Sequence, residues 1–197
     1  MRTIGLIGGI ASGKSEVARL LAERGAVIID ADRVAHVAYA TGTQGYAAVV
    51  KEFGEEVVGE DGAIDRRKLG AIVFSEPLLM QKLTSIVWPP ARKLLEARKQ
   101  AHANLGTEVL VIEAAVLVEA GWSDLVDEIW FVRTQVETAI RRLTELRGMS
   151  VKDAQSRIAA RDLGPLLAAA DVVIDNDGDL GELETRVDAV WRRAAQG

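Results

Sequence analysis

Five short apolar runs recur along the chain without strict polar alternation: TIGLIG from Thr3, AVIID from Ala26, EVLVIE from Glu108, EIWFV from Glu128 and DVVID from Asp171. Strands covered on one face alternate, whereas strands covered on both faces read as continuous β-branched runs. These five therefore predict a parallel sheet buried between helices. Between them the apolar spacing becomes helical. Val17, Leu20 and Leu21 share one face, and Gly25 supplies a stop. Val136, Ala139, Ile140 and Leu143 repeat the pattern ahead of Gly148, and Ser150 with Asp153 offers a capping box for the next helix. Leu180, Leu183, Val187 and Val190 line a closing helix. Strands alternating with helices define a doubly wound α/β fold.

That rhythm breaks between Ala31 and Thr107. The excursion holds helix-like stretches and an Asp61-Gly62 turn, and structureless loops of that length are rare, so a helical substrate lobe is expected. No repeat, low-complexity tract or Pro/Gly/Ser linker marks a boundary. The expectation is a single domain, 1–197, with its core at about 1–35, 107–140 and 168–197, the lobe at about 36–106 and a small helical lid at about 141–165.

Composition narrows the partners. The chain has 197 residues, 49% hydrophobic and 27% charged, with a net charge of -5. No global basic field exists to hold a nucleic acid. The absence of cysteine removes disulfides, thiolate metal sites and thiol nucleophiles. The opening MRTIGLIGGIASGK has only a brief apolar stretch, interrupted by glycines and ended by Lys14. No run approaches the roughly 20 apolar residues of a membrane span. A soluble, cytoplasmic protein without membrane partners is expected, with a monomer favoured.

The chemistry lies in Gly8-Gly9-Ile10-Ala11-Ser12-Gly13-Lys14-Ser15, which fits G-x-x-x-x-G-K-[ST] at every fixed position. Glycines let the backbone curl so that successive N–H groups point at phosphate oxygens. A helix starting near Lys14 adds its positive end. Lys14 then reaches the β- and γ-phosphates, and the Ser15 hydroxyl ligates magnesium. ATP or GTP is the expected ligand, and Gly9, Ile10, Ala11, Ser12, Gly13, Lys14, Ser15 and Glu16 are the candidate ATP-binding residues. A strand before the motif and an amphipathic helix after it supply the context a chance glycine turn lacks.

A small-molecule kinase, a GTPase switch and an ATPase motor or adaptor all carry this loop. No N-K-x-D is present for guanine, and Asp175-Asn176-Asp177-Gly178 matches D-x-x-G far too late in the chain for a switch. A motor usually needs more chain. The kinase reading is favoured. Asp30 and Asp32 end the second strand, on the edge where open α/β sheets bind ligands. From the residues alone, Asp32 is equally a general base for an attacking hydroxyl or a cap for a helix from Arg33 onward.

G-G-I-x-S-G-K-S followed by I-I-D-A-D resembles the opening of the dephospho-CoA kinase family. Phe53-Gly54, Asp61-Gly62, Asp65-Arg66, Leu69 and Val73-Phe74 resemble that family's next segment in order and spacing. VIEAAVLVEAGW, Val111 to Trp122, together with Ala154-Gln155-Ser156-Arg157, is similar to the kinase part of the animal bifunctional CoA synthase. The resemblance covers nearly the whole chain. It implies transfer of the ATP γ-phosphoryl group to the ribose 3′-hydroxyl of dephospho-CoA, with ATP and magnesium as cofactors. It makes Asp32 the general base, and it marks His36 and Glu119 with Asp32 as substrate-binding candidates.

The chain departs from the family pattern in places. Many bacterial members carry His-Pro where this chain has Trp88-Pro89, and Arg in place of His36; the CoA-synthase branch resembles this chain at both. Trp88 reads as a packing residue beside a proline-induced helix break. Glu113 ends a buried strand, where an unpaired carboxylate is costly, and is a second candidate near magnesium with Ser15. Arg141, Arg142, Arg147, Arg157 and Arg161 gather around the lid, and Arg142 matches a family lid position best. Leu146 stands where the family has its next lid arginine, and Gly164-Pro165 replaces a more basic segment. Lys14, Asp32 and Arg142 are thus the catalytic candidates. The alternatives are a kinase for another nucleoside or small alcohol, and an ATP-binding regulatory module that is not a kinase.

Overall fold

All five apolar runs are strands of one sheet in the computed structural model, which describes residues 1–194. They are β1 (Arg2–Gly8), β2 (Val27–Asp30), β3 (Val109–Glu113), β4 (Glu128–Arg133) and β5 (Val172–Asp175). The order is β2-β3-β1-β4-β5 and every neighbouring pair is parallel. Every residue of β1 after Arg2 is buried, as expected of a strand covered on both faces. Each large side chain fully buried in this way contributes roughly 1.5–3 kcal/mol. The edge strands β2 and β5 are only partly covered, and Val173 is exposed.

Two compact units result, Met1–Asp30 with His102–Gly197, and Ala31–Ala101. In the sheet-bearing unit, α1 (Lys14–Glu23) buries Val17, Leu20 and Leu21, and α9 (Leu180–Ala194) buries Leu183 and Val187 against the same core as Ile4 and Trp130. The faces read from the sequence run one position too far at their starts, because Leu180 and Val136 lie at helix entrances and stay exposed. Gly148 closes α6 (Val136–Arg147) in the left-handed conformation at φ 64°, its N–H reaching the carbonyls of Leu143 and Thr144. Ser150 caps α7 (Val151–Ala159), accepting from the Asp153 amide and donating its hydroxyl to the Asp153 carboxylate. The short α8 (Gly164–Ala168) opens on Gly164-Pro165 and buries Leu166.

The Ala31–Ala101 unit is helical, built from α2 (Ala31–Ala38), α3 (Gln44–Phe53), α4 (Arg66–Val73) and most of α5 (Pro77–Asn104). Its own core joins Val49, Phe53, Val57, Leu69, Val73 and Val87. The Asp61-Gly62 turn closes a small antiparallel bridge between Val58 and Ile64, and Asp65 then caps α4 through the Arg67 and Lys68 amides.

Two local expectations are corrected here. Pro89 and Pro90 lie inside α5, which continues without a break. Each proline removes one i→i−4 bond, but the flanking turns and the buried Val87, Ala91 and Leu95 hold the helix on its course. Trp88 is half-buried within that continuous helix. Asp32 does not precede a helix starting at Arg33: α2 begins at Ala31, directly after β2, so Asp32 lies inside its first turn.

Candidate active site

The phosphate loop begins where β1 ends at Gly8, at the carboxyl edge of the sheet, and leads into α1 at Lys14. The backbone curls sharply. Ala11 has φ 55° and Gly13 has φ 86°. A left-handed conformation costs a residue with a side chain about 1–2 kcal/mol, a strain that such loops carry at ligand sites. Gly13 also has no room for a Cβ, which would stand 2.1 Å from Asn176 Nδ2.

Lys14 and Ser15 converge on one oxygen. The Lys14 amine donates to Glu113 Oε1 at 2.8 Å, and the Ser15 hydroxyl donates to the same atom at 2.8 Å. Glu113 ends β3 and stands opposite Leu6 of β1 and Asp30 of β2 in the sheet register. The carboxylate whose burial is costly is therefore paired. Hydroxyl and carboxylate oxygens of this kind suit a hard divalent cation.

A second constellation holds the loop from behind. Arg142 of α6 donates to the carbonyls of Ala11 at 3.2 Å and Ser12 at 3.4 Å, and to Asn176 O and Oδ1 at 2.9 and 3.2 Å. Burial lowers the pKa of Arg142 from its usual value, partly opposed by the charge of Asp177. Asn176 donates from Nδ2 to Ser12 O at 2.7 Å. In the sequence Asn176 is visible only as part of a mistimed D-x-x-G. The two aspartates around it are engaged elsewhere: Asp175 pairs with Arg133, which lowers the Asp175 pKa, and Asp177 accepts from Thr134 and Gln135.

The other candidates are dispersed. The Glu16 backbone N–H bonds Gly13 O, and its carboxylate pairs with Arg19 at 2.6 Å, which lowers the Glu16 pKa. Glu119 pairs with Arg161 at 2.6 Å, and Arg161 also donates to Ala115 O. Arg141, Arg147 and Arg157 are exposed. Asp32 and His36 lie four residues apart on α2, hence on one face, and both are half-buried. The His36 ring meets Tyr39 edge-on at 5.8 Å. Among the described residues no group of three or more acidic or histidine side chains forms a metal cluster, and no helix is long and apolar enough to cross a membrane.

A five-stranded parallel sheet with a lysine-bearing phosphate loop at its carboxyl edge, and an acidic residue on the adjacent strand, defines a P-loop nucleotide-binding α/β protein. Comparison with known proteins narrows the class. The family model for dephospho-CoA kinase matches residues 2–182, and the chain belongs to the dephospho-CoA kinase family. The chain is 43% identical to the dephospho-CoA kinase of Geobacter sulfurreducens over 98% of both chains. It is 46% identical to that of Streptomyces avermitilis, over 97% of this chain and 93% of the relative. Among solved structures, TT1252 from Thermus thermophilus superposes with a TM-score of 0.80 at 31% identity, covering 98% of this chain and 97% of the other. Family and fold together make this chain a kinase that uses ATP.

Proposed function

We propose that the chain transfers the γ-phosphoryl group of ATP to the ribose 3′-hydroxyl of dephospho-CoA, giving CoA and ADP, the last step of CoA biosynthesis. The observation that carries this is the convergence of Lys14 and Ser15 on Glu113 beside the phosphate loop, in a chain that matches dephospho-CoA kinases along nearly its whole length. Lys14 and those backbone amides of residues 9–16 that no loop carbonyl takes up hold the triphosphate, the Ser12 and Glu16 N–H groups bracing the loop through Gly9 O and Gly13 O, a geometry in which positioning and charge stabilisation supply most of the catalysis. Asp32 orients the 3′-hydroxyl and takes its proton as the oxygen attacks phosphorus. His36 and Glu119 bind the acceptor.

Magnesium fits the donor set. Ser15 Oγ offers one protein oxygen and the Glu113 carboxylate at least one more, and this ion keeps several waters and binds mainly through substrate phosphates. Bound there, it would neutralise charge building on the β- and γ-phosphate oxygens. Arg142 adds positive charge behind the loop. In this proposal residues 36–106 form the acceptor lobe and 141–165 the lid that excludes water. The protein works as a cytoplasmic monomer.

The test is a coupled assay with ATP, magnesium and a panel of acceptors, read by mass spectrometry. CoA and ADP are expected from dephospho-CoA. Turnover of another alcohol, with no phosphorylated product from dephospho-CoA, overturns the reading.

A further inference from the structure

We propose that Asn176 is a positioning residue for ATP, acting through the Ser12–Gly13 peptide of the phosphate loop. The inference rests on the reading of that loop as the ATP site and adds a residue to it. Asn176 follows β5 directly. It extends the β4–β5 pairing, its N–H donating to Arg133 O at 2.8 Å while Thr134 Oγ1 donates to its carbonyl at 3.0 Å. The residue is 5% exposed, so its side chain sits in a fixed frame. From that frame Nδ2 reaches Ser12 O at 2.7 Å across 164 residues of sequence. Arg142 accompanies it, bonded to Asn176 Oδ1 and to the Ala11 and Ser12 carbonyls.

The consequence follows from peptide geometry. No peptide bond among the described residues is cis, and in a trans peptide the C=O and N–H point in opposite directions. Fixing the Ser12 carbonyl against Asn176 therefore turns the Gly13 N–H to the opposite side, the concave face on which phosphate oxygens are held. Were that peptide to flip, a carbonyl oxygen would face the anion and a donor would be lost. The absent Cβ at Gly13 is part of the same arrangement, since it admits the Asn176 amide to the backbone. The asparagine touches no phosphate itself; it decides which way one peptide of the loop points.

The test uses Asn176→Ala and Asn176→Asp in the full chain, with ATP as the probe. Asn176→Ala removes the donor. Asn176→Asp keeps volume and an acceptor for Arg142, but replaces the amide donor with a negative charge beneath the loop. We expect the dissociation constant and the KM for ATP to rise about tenfold in the alanine variant, and at least as much in the aspartate variant. The KM for dephospho-CoA should stay unchanged. A purely structural role would lower melting temperature and the active fraction while leaving both constants intact, and that outcome overturns the proposal. If the alanine variant does not fold, the aspartate variant decides on the same criterion, binding within twofold of wild type being refutation. Wild-type protein that binds ATP yet leaves dephospho-CoA untouched would strike the proposed acceptor alone, with the Asn176 comparison still decisive.

Discussion

Glu113→Gln separates what the shared oxygen does for the fold from what it does for the nucleotide. The carboxylate accepts from both Lys14 and Ser15 through Oε1, with the Lys14 and Glu113 side chains 16% and 12% exposed. Hydrogen bonds to charged groups in such settings are worth about 1.5–3 kcal/mol, and removing one partner of a buried pair costs more because the other charge is stranded. Glutamine keeps one oxygen acceptor for Lys14 and Ser15 but loses the charge and exchanges the other carboxylate oxygen for an NH2 donor, so about 1–2 kcal/mol of stability should go. For a chain of this size that corresponds to a fall in melting temperature of roughly 2–8 °C. Nucleotide binding should respond in the opposite direction. Glu113 and the triphosphate both seek the Lys14 amine, and removing the carboxylate charge frees the lysine and lessens repulsion of the anion. ATP without magnesium should therefore bind the variant at least as tightly as wild type. Turnover should then require about tenfold more magnesium, because one of the oxygens offered to the ion has lost its charge. Scanning calorimetry, calorimetric titration with ATP in EDTA, and a magnesium dependence of kcat read the three effects separately. Unchanged melting temperature together with an unchanged magnesium requirement would refute the assignment, leaving Glu113 a residue that merely ends a strand.

Two further predictions concern the catalytic candidates. Lys14→Ala removes the charge aimed at the phosphates and also strands Glu113 with Ser15 alone; turnover should be lost, ATP affinity should fall, and the melting temperature should drop by several degrees, whereas retained activity would mean the loop holds no reacting nucleotide. Asp32→Asn keeps shape but removes basicity, so kcat should fall roughly 10²–10⁴-fold in the coupled assay with little change in ATP affinity; a first-turn acid stabilises its helix by about 0.3–1 kcal/mol, so the accompanying loss of stability should be small, and an intact kcat with a large stability loss would make Asp32 structural.

What the sequence made legible, and what it hid, divides by the distance over which each feature is decided. The strands were readable because burial on both faces writes itself into consecutive residues, as in β1, where Thr3 to Gly8 are all buried. The phosphate loop was readable because eight consecutive residues carry its geometry. Capping at Ser150 was readable for the same reason. The course of α5 through Pro89-Pro90 was not, because local propensity argues for a break and the packing of Val87, Ala91 and Leu95 outweighs it. The start of α2 at Ala31 was missed because no loop separates it from β2, so a cap stood beside a general base among the readings of Asp32. Asn176 was the least visible. Its value depends on β4 lying between β1 and β5 in the sheet, an order that brings the residue after the last strand to the loop after the first. Nothing local distinguishes it from any asparagine at a strand end. Glu119 and Arg161 were each candidates in the sequence, but their pairing was hidden, because it arises only where the β3–β4 connection meets the segment after α7. Local pattern therefore announces the phosphate-binding chemistry, while the residues that hold its backbone in place become visible only when distant segments are seen to meet.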